Sequence, residues 1–172
     1  MLSKKSHYPI FANILTERLI SFEEFFLPHA PFLEPVSSLS RLADRSPLLF
    51  WTIVMISCQL HQNYSTLYNV ALIAQRQLLS QEVLSASQSI ESVHALLLVC
   101  LWPVPQEHHY DDPSWEHIGL AINAALRFNC HNPLPQNNPI RGWKVLGGAS
   151  ANDLSITTQH KTWLACFNIS TP

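Results

Sequence analysis

Apolar positions along this chain recur at intervals of three and four residues, with no sustained two-residue alternation, and this periodicity predicts helices throughout. From Ile14 to Leu27, the residues Leu15, Leu19, Phe22, Phe26 and Leu27 share one helical face, and the pattern stops before Pro28. Ser21 with Glu24 offers a capping box if that helix starts late. The stretch from His29 to Arg45 is broken by prolines and reads as a linker. Ser46-Pro47 is a start signal, because a serine hydroxyl takes up a free N–H group and proline lacks the N–H that the first helical turn leaves unpaired. The helix that follows, Leu48 to about Leu60, is apolar on nearly all sides and is expected to be buried.

Next, Tyr64, Leu67, Tyr68, Ala71, Leu72, Leu78 and Leu79 line one helical face, with Asn63, Arg76 and Gln77 on another. Ser85 with Gln88 is a second capping-box candidate for a helix striped by Ile90, Val93, Leu97 and Leu101 and stopped at Pro103. Asp112 is expected to cap a helix with Pro113 at its first position, burying Trp115, Ile118, Gly119, Ile122 and Leu126. On that reading Trp115→Ala is a large-to-small core change of about 3–5 kcal/mol. Residues 132–155 hold three of the four glycines and read as a long surface loop. A final pattern, Ile156, Trp163, Leu164 and Phe167, runs to Pro172 with its apolar face barely begun, so a C-terminal truncation that leaves this helix without partners is expected. The division is 1–45 for the first helix and linker, 46–131 for the core, 132–155 for the loop and 156–172 for the start of a further helix. Five or six helices joined largely by short connections make an all-α chain of packed antiparallel helices.

Composition narrows what such a chain does. A length of 172 residues is enough for one domain that buries roughly 70% of its unfolded surface. Charged residues are only 13%, about half the usual share, which points to surface covered by a partner or by further chain. A net charge of −2 and ten dispersed Lys and Arg residues argue against a phosphate-binding face. No apolar run approaches the ~20 residues that span a bilayer, and no membrane partner is expected. Cys58, Cys100, Cys130 and Cys166 form no C-x-x-C pair and read as buried thiols of an intracellular chain.

The densest ionisable group is His108, His109, Asp111, Asp112, Glu116 and His117, residue types that bind zinc or iron. Their register is unsuitable: on the predicted helix only Asp112 with Glu116 makes an i, i+4 pair, and Asp112 is already occupied as a cap. The paired aspartates also suggest the magnesium-binding helix of a terpene cyclase, but Asp111 plus four is Trp115. Cys130-His131 lies at a helix end, where a chain neighbour is a poor base, and Gly147-Gly148 lacks the Lys and Ser/Thr of a phosphate loop. These residues give no catalytic, cofactor or metal assignment, and the chain reads as a non-enzyme.

Several blocks, taken in order, carry a family resemblance: Ser46-Pro47-Leu48-Leu49-Phe50-Trp51, Ser89 to Leu98, Leu101-Trp102-Pro103, Asp112-Pro113-Ser114-Trp115, Gly119-Leu120-Ala121 and Lys161 to Phe167. Together they resemble the regulatory middle-homology domain of fungal binuclear zinc-cluster transcription factors, nearest the group that includes weak-acid-resistance and protease-activator regulators. The resemblance implies a helical regulatory domain acting in the nucleus in transcription regulation. Ser46, Pro47, Trp51, Trp102, Pro103, Asp112, Pro113, Trp115 and Trp163 would be its structural signatures. It also implies zinc and DNA contact only through a six-cysteine module that these residues do not contain. Partners would be proteins of the transcription machinery or a homodimer mate, with a small-molecule effector a further option. The alternatives are a free-standing helical interaction module that competes with a full-length relative and, more remotely, a cyclase-like helical enzyme.

Overall fold

The computed structural model describes residues 8–36, 38–59, 61–84, 89–106, 108, 112–133 and 155–170. Within them are seven α-helices and no strand, so the chain is all-α. The helices are α1 (Tyr8–Phe25), α2 (Leu39–Arg45), α3 (Pro47–Gln59), α4 (Ser65–Leu84), α5 (Ile90–Leu101), α6 (Ser114–Arg127) and α7 (Ile156–Ser170), with 3₁₀ turns at Leu27–His29 and Gln62–Tyr64. No helix among the described residues is long and apolar enough to cross a membrane. The chain divides into two compact units, Met1–Arg76 and Gln77–Pro172, with the boundary inside α4.

In the first unit α3 packs against α1 and α2. It begins as the dipeptide predicts, with the Leu49 N–H donating to Ser46 Oγ at 3.4 Å and Pro47 in the first position. Ten of its thirteen residues are buried. Each large one, such as Leu48, Ile53 or Ile56, contributes about 1.5–3 kcal/mol through removal of apolar surface from water. Its buried hydroxyls return to the helix's own carbonyls, Thr52 Oγ1 to the Leu48 oxygen at 2.8 Å and Ser57 Oγ to the Val54 oxygen at 2.9 Å. Neither hydroxyl therefore goes unpaired.

The first helix departs from the sequence reading at both ends. It begins at Tyr8 instead of Ile14, which puts Ser21 and Glu24 in its interior and removes them as a capping box. It ends at Phe25, and a 3₁₀ turn accommodates Pro28, whose missing N–H would break an α-helix. The Pro-broken stretch from His29 to Arg45, predicted as a linker, holds α2, whose N-cap Ser38 takes the Arg41 N–H at 3.5 Å. In α4 the predicted face is buried at Leu67 and Ala71, whereas Tyr68, Leu72, Leu78 and Leu79 are half-buried and Val70 and Ile73 are exposed.

The second unit is a three-helix packing in which α5 contacts both α6 and α7, and α6 also contacts α7. The expected caps Ser85 and Gln88 lie outside the described residues. The cap of α5 is instead Ser89, in a reciprocal arrangement: the Ser92 N–H donates to Ser89 Oγ at 3.2 Å and the Ser89 N–H to Ser92 Oγ at 3.3 Å. Ser92 Oγ also donates to Glu82 of α4. Nine of the twelve residues of α5 are buried, so its apolar surface is wider than the predicted stripe.

At α6 the sequence reading is displaced. The helix starts at Ser114, and Asp112 Oδ1 receives both the Ser114 N–H at 3.0 Å and its hydroxyl at 2.6 Å, one residue earlier in the turn than expected. The buried face is Ile118, Ala121, Ala124 and Ala125, because small side chains allow α6 to approach α5 and α7 closely. Trp115 is 76% exposed and Leu126 39%, which overturns the core assignment of Trp115 and with it the large expected cost of its truncation. The helix closes in a Schellman motif, with the Cys130 N–H to the Ala125 oxygen at 3.0 Å, the Asn129 N–H to the Leu126 oxygen at 3.0 Å, and Asn129 at φ 54°.

The final helix also differs from what its sequence pattern predicts. It packs against α5 and α6, so it does not lack partners, and it buries Gln159, Thr162 and Cys166 while Leu164 and Phe167 face solvent. Most of the expected loop, residues 134–154, lies outside the described residues.

Candidate functional site

Among the described residues, each unit holds a buried polar arrangement around a cationic or titratable side chain, Arg18 in the first and His94 in the second. In the first, Arg18 on α1 is only 6% exposed. Its guanidinium lies 4.2 Å above the centre of the Tyr64 ring, and Nη2 reaches Glu17 Oε1 at 3.2 Å, while Tyr64 donates to Glu17 Oε2 at 3.3 Å. Ring and carboxylate thus offset the cost of burying the cation. Two of its nitrogens, Nε and Nη1, have no hydrogen-bond partner. Cys58, at the end of α3, is buried in the same unit; desolvation pushes its thiol up, against a smaller opposing pull from the Arg18 charge.

In the second unit the buried seam between α5 and α7 is polar. His94 Nε2 meets Thr162 Oγ1 at 2.8 Å, and Thr162 donates its own proton to the Thr158 carbonyl at 2.8 Å. That leaves Thr162 as acceptor and assigns the His94 proton to Nε2. Burial lowers the His94 imidazole from its ordinary 6.5 to about 4, so the ring is neutral at physiological pH. One turn earlier Gln159, 2% exposed, donates through Nε2 to the Phe128 carbonyl at the end of α6 at 3.0 Å, and its Oε1 has no partner. His117 on α6 is also lowered by burial, with its Nδ1 unpaired.

Three thiols belong to the same unit. Cys100 donates to the Ser114 carbonyl at 3.5 Å, and desolvation pushes it up to about 12; Cys130 rises to about 12 and Cys166 to about 11 for the same main reason. Thiols raised in this way supply almost no thiolate near neutral pH, and Cys130 and Cys166 are buried besides, while Cys100 is half-buried.

The residues singled out by the sequence do not converge on one place. Ser46 and Pro47 start α3, and Trp51 sits half-buried, edge-on to Phe50 at 5.2 Å. Trp102 closes α5 with its N–H on the Leu98 oxygen at 2.9 Å, and Pro103 is exposed just after it. Asp112 and Pro113 open α6, Trp115 points outward, and Trp163 lies edge-on to His131 at 5.8 Å. Of the ionisable cluster, His109 and Asp111 lie outside the described residues; among the described residues no three metal-ligating side chains are grouped. The sequence reading missed Arg18, His94, Gln159 and Thr162. One signal was present: His94 interrupts the apolar run Val93 to Leu98, where an uncompensated imidazole is costly.

These features describe an all-α chain whose buried polar groups fix helix starts, helix ends and one interhelical seam. Its homologues are fungal transcription regulators. The chain is similar to the transcriptional regulatory protein SEF1 of Candida albicans, 26% identical over 152 residues, which cover 84% of this chain and 16% of that protein. A second SEF1 protein, from Eremothecium gossypii, is 32% identical over 111 residues, covering 64% of this chain and 10% of its own length. A regulatory protein of Saccharomyces cerevisiae is 29% identical over 170 residues, 87% of this chain and 18% of its own. The chain thus spans less than a fifth of the length of these curated relatives. No protein-family model matches it, and no solved structure does.

Proposed function

We propose that this chain is a regulatory segment of a fungal transcription regulator, acting in the nucleus through protein contacts and without catalysis. The observation that carries this reading is similarity that runs through both compact units to proteins named as transcription regulators. The structure is compatible with it: the buried polar groups are structural, and the described cations, Arg18, Arg41, Arg45, Arg76, Arg127 and Lys161, are scattered along the sequence instead of forming a run that would track a phosphate backbone. DNA contact and zinc would then belong to a different segment of such a regulator, and the partners of this one would be proteins of the transcription machinery.

The test is to tether the 172-residue chain to a heterologous DNA-binding module upstream of a reporter in a yeast. A change of output in either direction, relative to the module alone at matched protein level, is the expected result. Unchanged output from a chain that is expressed and nuclear would overturn the reading.

A further inference from the structure

The exposed side of α6 carries an apolar seam that its own unit leaves uncovered. Trp115, Gly119, Ile122 and Leu126 follow one another at intervals of four, three and four residues, the spacing of a coiled-coil contact line over two heptads. Trp115 and Leu126, at its two ends, are both exposed, and Ile122 and Gly119 between them are half-buried. A side chain added at Gly119 would meet nothing within 4 Å, so the middle of the seam is an open notch.

This seam is complementary to its own reverse. Laid antiparallel on a second copy about a two-fold axis between residues 120 and 121, Trp115 faces Leu126, and Ile122 of each copy enters the notch at Gly119 of the other. The same operation leaves each polar flank on the side it started from. The exposed Glu116 of one copy then lies beside the exposed Arg127 of the other, at both ends of the contact. A parallel copy would instead set tryptophan on tryptophan and notch on notch, and would carry the Glu116–Arg127 flanks of the two copies to opposite sides of the contact, where they could not pair. We propose that the Trp115–Gly119–Ile122–Leu126 face of α6 is a self-association surface that pairs antiparallel with a second copy of this chain. One short helix per copy is a small interface, so association is on the order of tens of micromolar and sensitive to single substitutions.

Sedimentation equilibrium of the whole chain from about 5 to 200 μM, a range bracketing that affinity, reads the proposal directly. The expected result is a concentration-dependent dimer, weakened about tenfold or more by Trp115→Asp. Gly119→Glu should do the same by filling the notch, and both variants should keep wild-type helicity because neither position packs within its own unit. Oxidation of a mixture of Trp115→Cys and Leu126→Cys chains should give a mixed disulfide dimer. Either variant alone should cross-link slowly, since equivalent positions lie about 16 Å apart along antiparallel helices. A chain that stays monomeric at the top concentration would overturn the proposal. Dimerisation indifferent to both substitutions, or rapid self-cross-linking of the Trp115→Cys variant, would do so too. None of these results depends on reporter output, so the surface and the transcriptional reading fail separately.

Discussion

Burial holds His94 neutral down to about pH 4, whereas in the unfolded chain the same imidazole takes a proton near pH 6.5. Between those two values the unfolded state binds more protons than the folded state, so stability falls as the pH falls through that window. It is fully present above pH 6.5, and this contribution is exhausted below about pH 4. The whole step is worth about 3 kcal/mol, from 1.36 kcal/mol for each unit of displacement. His117, lowered for the same reason, adds a change of the same sign. His94→Gln keeps a donor for Thr162 but cannot titrate. Denaturation midpoints measured from pH 7 to pH 4.5 should therefore decline less steeply in that variant than in the wild type, and parallel curves would show that the histidine is not the group responsible. Trp115 is the instructive contrast: a large apolar side chain, flanked in sequence by Asp112, Pro113, Ser114, Glu116 and His117, that stands in solvent.

Helix boundaries are where local chemistry and sequence agree most closely. Ser46-Pro47 starts α3 and Pro103 follows the end of α5, because caps and proline act through atoms one to four residues away and need no tertiary information. Which face a helix buries is another matter. On α6 the hydrophobic periodicity selects Trp115, Ile118, Gly119, Ile122 and Leu126, but of these only Ile118 belongs to the packed face, which Ala121, Ala124 and Ala125 complete; that choice depends on the packing of α5 and α7, which no local pattern encodes. The same holds for α7, where Gln159, Thr162 and Cys166 are inside and Leu164 and Phe167 outside: the buried polar groups are acceptable only because His94 and the Phe128 carbonyl stand opposite them. The caps themselves are testable. Ser89→Ala removes the side-chain half of the reciprocal cap of α5, leaving the residue-89 N–H on Ser92 Oγ, and should cost about 1 kcal/mol in chemical denaturation. Asn129→Gly, at the left-handed position that ends α6, should be neutral or slightly stabilising, since glycine adopts that conformation without a Cβ penalty. A loss of stability on going to glycine would mean that the asparagine side chain has a role beyond its backbone.

At the scale of the molecule, the helical class and the kinship with fungal transcription regulators were readable from ordered blocks of sequence, because both are properties of the whole pattern. The polar seam of the second unit was not, because it exists only where two helices meet. That seam sets an order of opening. Amides of α5 lie on a helix packed by α6 on one side and α7 on another, with Val93, Leu97 and Leu98 inaccessible to solvent, so water reaches them only after both neighbours have left. α7 is held by buried groups that water can satisfy as well as the protein does, and one of them, Gln159 Oε1, gains a partner on release. Deuterium uptake followed by mass spectrometry should therefore show α7 exchanging through a partial opening, while α5 waits for the unit as a whole. Equal rates in the two helices would mean that the polar seam does not lower the cost of that opening. A clear separation would make His94 a residue that first meets water when α7 departs, which turns a single hydrogen bond into the latch of the unit's slowest-exchanging helix.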